Sequence, residues 1–502
     1  MCIRDRCAPI SQWDDAVKTP GSTGPAGDRA INAAGFLLPW SVLLGHYAAF
    51  GSMTMFRALV LVLLVMAALG GRAWRGQWWF LGFGAAWLVL GVVSFLANPG
   101  ASLGGIVNLA FGWVLAWTLA RLRGRHFLTC IGRGWQWAII MSAPLAFWEW
   151  RTARHLPDYG SGVWQHHPNS YFSPATFFVN PNYYALFLTV GLALGGWLTS
   201  CRIRTGQRRR TLAWDGVVLL CGAWLLWITH SRACVLALLV LVAAGIVQKL
   251  PVPVVAGIAG LGVLTAVLVV WRLGANHWQM WMSVWRDHVD LGPRSIPVRM
   301  SLLAFGITLL QGHQLLGAGP DGFARAAATQ QTFSLHGKVN AHNGLIEVAV
   351  DYGLIVLVLL VAAWLSAVII AWHAGRTHPR GTRAATVGVL MGLLVASPLL
   401  MFANSQFIGP NVTSAWMAVM MCLTALVLDD PDGPENDVRN GAQRQSSGPQ
   451  RERGVRDLRI TSQIGTGRRP HDDEQLHDTH LHSSGDGWRH ELADKTDRGG
   501  QQ

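Results

Sequence analysis

The sequence predicts an all-α integral membrane protein, with about twelve transmembrane helices and one large outward-facing loop that carries an amphipathic helix. Three observations carry that prediction. Of 502 residues, 51% are hydrophobic and only 13% are charged. The apolar residues gather into uninterrupted segments close to the length a helix needs to cross ~30 Å of hydrocarbon. Basic residues recur after every second segment, the pattern of loops held on the cytoplasmic side.

The segments fall near 31–51, 54–70, 78–97, 103–120, 134–150, 183–200, 214–229, 232–248, 252–271, 345–372, 384–404 and 411–428. The two that flank Ser231 are open to a second reading, one long broken helix. The first follows a polar lead, residues 1–30, so it is not a cleaved signal peptide. The opening Met1-Cys2-Ile3-Arg4-Asp5-Arg6 is unlike a natural start, and the true N-terminus is expected elsewhere.

Arg72 and Arg75 follow the second segment, and Arg121, Arg123, Arg125 and Arg133 follow the fourth. Arg202, Arg204, Arg208, Arg209 and Arg210 follow the sixth, Lys249 the eighth, and Arg376, Arg380 and Arg383 the tenth. The loops between these are almost free of Lys and Arg, except after the fifth segment and in the long loop 272–343. Residues 1–30 and both termini are therefore expected in the cytoplasm. Residues 31–428 form the membrane domain, and 272–343 faces outward.

The net charge of +13 is unevenly placed. Residues 1–428 carry 29 basic and 12 acidic side chains, and 429–502 carry 11 and 15. Anionic headgroups on the cytoplasmic face account for the basic excess, so nucleic acid is not an expected partner. The seven Cys form no Cys-x-x-Cys pair, and neither a disulfide framework nor a zinc site follows from them. From Asp429 onward the chain is polar with Trp488 as its one aromatic, a composition expected to stay disordered. Its His477, His480 and His482 are expected to be solvated rather than to hold a metal.

Ionisable groups within the segments are scarce: Glu149 and Asp215 near ends, and Arg57 near an interface. Ion-coupled transporters use buried carboxylates as relays, so their scarcity disfavours that class while leaving a flippase open. Three polar constellations on the outward side remain. In Thr229-His230-Ser231-Arg232, an arginine pinched between apolar segments suits a phosphate oxygen pair, or else snorkels from a turn. In the long loop, Pro297-Val298-Arg299-Met300 with Leu302, Leu303, Phe305, Leu309 and Leu310 has the spacing of an amphipathic helix on the membrane–water boundary. Gly317-Ala318-Gly319-Pro320-Asp321-Gly322-Phe323 then forces a turn.

His342 is the third. It stands just before the tenth segment, and an imidazole of ordinary pKa ≈ 6.5 is easily tuned into a base. A helix start there favours anions and neutral imidazole. Glu347 lies five residues on, at a poor angle for a dyad. A structural histidine at a helix start is the plain alternative.

In order and spacing, these pieces resemble the O-antigen ligase/O-antigen polymerase superfamily of polytopic glycosyltransferases. The resemblance covers roughly residues 170–372. Phe178-Val179-Asn180-Pro181-Asn182 resembles its Asn-Pro-Asn entry to a span, and His230-Ser231-Arg232 its Ser-Arg step. Leu316 to Phe323 resembles its Leu-Gly-x-Gly-x-x-x-Phe segment. His342-Asn343, nine residues, then Gly353-Leu354-Ile355 matches its most specific motif. Val356 departs from the small or hydroxylated residue preferred there, and no large extra domain follows the last span.

The resemblance implies a membrane glycosyltransferase-type fold in the bacterial inner membrane, taking a glycan on undecaprenyl pyrophosphate as donor. It implies that Arg232 and Arg299 bind the pyrophosphate and that His342 deprotonates the acceptor hydroxyl, with Arg325, Lys338 and Asn343 as further substrate-binding candidates. Two arginines neutralising the leaving group leave no role for a metal, and no cofactor is expected. The acceptor is lipid A–core or a similar hydroxyl in a ligase, another lipid-linked repeat in a polymerase. A non-catalytic flippase of lipid-linked oligosaccharide is the reading from another class.

Overall fold

In the computed structural model, the described residues are 24–429, apart from 52, 157–171, 208, 249, many positions within 252–294, 314–315, 378–380 and 404–405. Helices follow the apolar segments: α1 Gly24–Leu44, α2 Met55–Gly70, α3 Gln77–Ala97, α4 Leu103–Arg121, α5 Arg125–Thr152, α6 Pro181–Arg204, α7 Arg209–Ile228 and α8 Arg232–Val247. Beyond the incompletely described stretch come α9 Ser295–Gly312, α10 Gly322–Thr329, α11 Gly344–Thr377, α12 Gly381–Ala403 and α13 Asn411–Asp429. A two-stranded antiparallel ribbon, Ala49–Phe50 with Met53–Thr54, joins α1 to α2.

Seven of these helices, α3, α4, α6, α7, α11, α12 and α13, are long and apolar enough to cross a membrane, and α2 and α8 are apolar but shorter. The chain is a multi-pass, all-helical membrane protein. Seven is fewer than the twelve expected, for three reasons. α1 and α5 coincide with expected spans but carry charge, Asp28 and Arg29 in one and Arg125, Arg133, Glu149 and Arg151 in the other. Met55–Gly70 and Arg232–Val247 are only 16 residues each. The expected span 252–271 lies largely outside the described residues. So do residues 1–23 and the tail from 430, with its histidines.

The segments at Ser231 are two helices. Thr229 and His230 break the run, His230 at φ 56°, and α8 begins at Arg232. α6 sits at the centre, buried along most of its length, and packs on α5, α7, α12 and α8. Small residues allow close crossings: a β-carbon on Gly191 would lie 2.4 Å from Trp135, and one on Gly392 2.8 Å from Leu241. Several charged groups within the bundle have polar partners. Arg202 and Gln136 both bind the buried Asp215 carboxylate, Gln136 at 2.9 Å. Arg57 donates to Asn108 Oδ1 at 2.9 Å and lies over the Phe111 ring.

A second, smaller core lies beneath α9. Val298, Leu302 and Phe305, three positions of the stripe expected at the membrane–water boundary, are buried against Phe323, Phe333 and Val350. Phe305 meets Phe323 and Phe333 edge-on at centroid distances of 5.3 and 5.8 Å. This core seats α9 and α10 against the first part of α11.

Candidate functional site

Four helices begin at one end of the bundle with side-chain caps, as the chemistry of exposed N–H groups requires. Thr54 accepts from Arg57 N at 3.2 Å, Ser102 from Gly105 N at 3.2 Å, and Asn180 from Asn182 N at 2.8 Å ahead of Pro181. Asn343 Oδ1 accepts from Leu345 N at 3.0 Å and Ile346 N at 3.3 Å. Between these ends lies a cavity of about 560 Å³. Its wall includes Thr54, Asn108, Phe177, Phe178, Asn180, Tyr183, Asp321, Lys338, Asn340, His342, Gln406 and Asn411. Several positive helix-dipole ends thus point at one space, which favours an anion.

The motif from His342 to Ile355 has a physical reading. His342 holds the left-handed backbone, φ 48°, Asn343 caps, and nine residues of helix run to a break at Gly353, φ 88° and ψ 169°. At that break the segment before α10 makes a close backbone crossing. Ala318 N donates to Val350 O at 2.6 Å, and Asn98 Nδ2 donates to Gly317 O at 3.2 Å. A β-carbon on Gly317 would lie 2.7 Å from the backbone of Asp351 and Gly353, so only glycine fits.

The carboxylates of this helix hold the wall. Glu347 takes the amide hydrogens of Phe407 at 2.6 Å and Ile408 at 3.0 Å, which shapes the Gln406–Val412 side of the cavity. Asp351 accepts from Phe323 N at 2.8 Å and so caps α10 from a different helix. Glu149, completely buried, does the same for Ala175 N and Thr176 N at 2.8 and 2.7 Å, setting the Phe177–Asn180 wall.

Two cations act on His342, which lines the cavity. Burial, then Arg299, then Lys338 lower its pKa to about 4, so the imidazole is neutral at ordinary pH and can accept a proton. Burial also pushes the Arg299 guanidinium and the Lys338 ammonium below their ordinary values. Arg299 is partly buried and has no hydrogen bond or carboxylate partner among the described residues. A desolvated fork of donors with nothing to bind is poised for an anion.

The remaining sequence candidates fall elsewhere. Arg325 gives Nη2 to Ala318 O at 2.9 Å and Nη1 to Pro99 O at 3.5 Å, so its donors hold backbone. The Asn343 carbonyl oxygen is committed to its cap. Arg232 is exposed and does not line the cavity, although the preceding His230 is tied through Nδ1 to Ser173 Oγ at 2.9 Å, a few residues before the Phe177–Asn180 wall. Asn108, Asp321, Gln406 and Asn411 line the cavity and were not singled out in sequence as site residues. The one legible signal was Asp321, inside a motif segment. Among the described residues no cluster of metal-ligating side chains occurs.

Fold and cavity define a multi-pass, all-helical membrane protein with a polar chamber lined by Lys338, Asp321 and His342. Residues 217–361 match the family model for O-antigen ligase. The matched stretch takes in Arg232, Arg299, the Leu316–Phe323 turn and the whole His342–Ile355 motif. It points to activity of the O-antigen ligase/polymerase type. No curated protein matches the chain.

Proposed function

We propose that this protein transfers a glycan from undecaprenyl pyrophosphate to an acceptor hydroxyl, as a ligase acting on lipid A–core or a similar acceptor at the outer face of the bacterial inner membrane. The observation that carries the reading is the partly buried Arg299, without a hydrogen-bond or carboxylate partner among the described residues, acting on a neutral His342 at the cavity wall. Arg299 and Lys338 neutralise the pyrophosphate, and Arg232 supplies a second fork from the turn at the start of α8. The acceptor oxygen attacks the anomeric carbon, whose bond to the pyrophosphate oxygen breaks. The acceptor proton passes to His342, and the electron pair leaves with the carrier pyrophosphate.

Binding and base strength are coupled in this arrangement. Burial and two cations hold the imidazole pKa at about 4. A bound pyrophosphate offsets the cations and raises it, so the base strengthens when the donor is in place.

The test is a reconstituted assay with lipid-linked donor and acceptor. Release of free carrier pyrophosphate is expected, and His342→Ala abolishes it while abundance and membrane insertion stay at wild-type levels. Near-normal turnover in that variant removes the base assignment. Absence of donor consumption in the wild type favours a flippase. A ladder of repeat lengths on the carrier, rather than one glycan on a foreign acceptor, marks the polymerase reading.

A further inference from the structure

The cavity wall carries a second polar group whose geometry the pyrophosphate chemistry does not use. Asp321 stands at the N-cap of α10 in the left-handed region, φ 58°, yet makes no side-chain cap bond. An aspartate at that position ordinarily binds the first amides of its helix. Here Asp351 takes Phe323 N from another helix, and the Asp321 carboxylate is released toward the cavity it lines. Its Oδ1 receives a long contact, 3.4 Å, from Gln406 Nε2, and Oδ2 has no hydrogen-bond partner among the described residues.

Two amides are aimed at the same place. Arg57 occupies Asn108 Oδ1 at 2.9 Å, which fixes the amide so that its N–H2 is turned away from the guanidinium. A β-carbon at Gly409 would lie 3.5 Å from Gln406 Nε2 and 3.7 Å from Asn108 Nδ2, so both donors flank one bare glycine. Asp321 Oδ2 lies 3.3 Å from the corresponding point at Gly105, one turn before Asn108 on α4. Gly409 has no side chain to fill the space beside the two amides, whereas at Gly105 Pro320 Cβ already lies 2.7 Å from the corresponding point. The charges that act on His342 are Arg299 and Lys338, not Asp321.

We propose that Asn108, Gln406 and Asp321 form a sugar-hydroxyl subsite, which holds a neutral sugar of the glycan through adjacent hydroxyls, apart from the cationic group at Arg299. The inference rests on the glycosyl-transfer reading and assigns specificity within it. A carboxylate only accepts and an amide N–H2 only donates, so the trio complements hydroxyls, which do both. Phe177 and Tyr183, on the same wall, offer apolar faces beside it. Asp321 repels a uronic acid at this position, and Arg57 is the positioning residue that sets the Asn108 amide.

The experiment uses the full chain in lipid nanodiscs with two probes: the oligosaccharide released from the carrier lipid of cells that make the protein, and glycan-free undecaprenyl pyrophosphate. Asp321→Asn keeps the tolerance of the left-handed backbone and should weaken oligosaccharide binding about tenfold or more, by loss of a charge-assisted bond. Gln406→Met should weaken it less. Both variants should bind glycan-free carrier as wild type does, whereas Arg299→Gln should lose the carrier. Two-substrate kinetics then assign the sugar: a raised KM for donor alone places the donor glycan here, and for acceptor alone the acceptor glycan. Wild-type oligosaccharide binding in Asp321→Asn and Gln406→Met overturns the subsite. Carrier binding without any oligosaccharide binding in the wild type also overturns it and leaves glycosyl transfer standing. Failure of both probes overturns both.

Discussion

Glu347 accepts the amide hydrogen of Phe407 at 2.6 Å, and with its other oxygen that of Ile408 at 3.0 Å, tying α11 to the segment before α13 behind the cavity wall. Glu347→Gln keeps the size but turns one acceptor into a donor that faces an amide N–H. Loss of a buried hydrogen bond, with its donor left unmet, costs about 1–3 kcal/mol. The thermal midpoint in detergent should fall and turnover per folded molecule should drop in part. An unchanged midpoint would show that the clamp does not hold this wall.

The acid limb of kcat/KM reports the free enzyme. For His342 it should lie near pH 4, where protonation removes the base, and not near 6.5. Taking away a positive neighbour makes protonation easier, so Arg299→Gln should move the limb upward. Only part of the shift returns, because burial is its largest cause. Where turnover is too low, titration of the His342 imidazole by NMR gives the same quantity. A wild-type limb at 6.5 would detach His342 from base catalysis.

Arg299→Lys preserves charge and loses the planar fork that takes two oxygens together. A charge-assisted bidentate contact in a water-poor site is worth roughly 1.5–3 kcal/mol, so turnover should drop about tenfold to hundredfold. Neither arginine lines the cavity, but Arg299 is partly buried and acts on His342 whereas Arg232 is exposed, so Arg232→Lys should cost less than Arg299→Lys. Donor binding and rates for both variants and the double decide it. Neutral behaviour of both would reduce these arginines to turn anchors.

Gly317→Ala should be severely destabilising. The new methyl would meet the Asp351 carbonyl and the Gly353 nitrogen at 2.7 Å, on a residue already at φ 75°. Backbone cannot yield as a side-chain tip does, and a loss of more than about 2 kcal/mol follows. Expression level and thermal midpoint measure it. A well-folded Gly317→Ala would show that α11 and the Leu316–Phe323 turn shift freely past one another.

Helices were legible wherever an apolar run was long, because burial in lipid or protein demands the same side chains. Asn180-Pro181-Asn182 and Asn343 were legible as helix starts because capping is local chemistry. His342 could be singled out from its position and motif, but its neighbours could not. Arg299 approaches it from a helix forty residues earlier, and the Asn108–Gln406–Asp321 group draws on three segments that no local pattern connects. The carboxylates of α11 were legible only in part. Glu347 and Asp351 share a helix face, as their spacing says, but their partners are backbone amides at 407–408 and 323, invisible to any reading of side-chain types.

The break at Gly353 divides one helix between two solvents. Before it, residues 347 to 353 are all buried in protein, acids included; beyond it, Leu354, Ile355, Val358, Leu365 and Ile369 stand exposed on the helix surface. The first piece can therefore keep polar side chains that hydrocarbon would reject, and the second can face hydrocarbon because it carries no charged side chain from Leu354 to Trp372. A glycine placed there acts as a depth mark. It marks how far the protein-buried stretch extends before the exposed apolar stretch begins, and so, on the proposed glycosyl-transfer reading, how deep a lipid-linked headgroup would sit to meet His342.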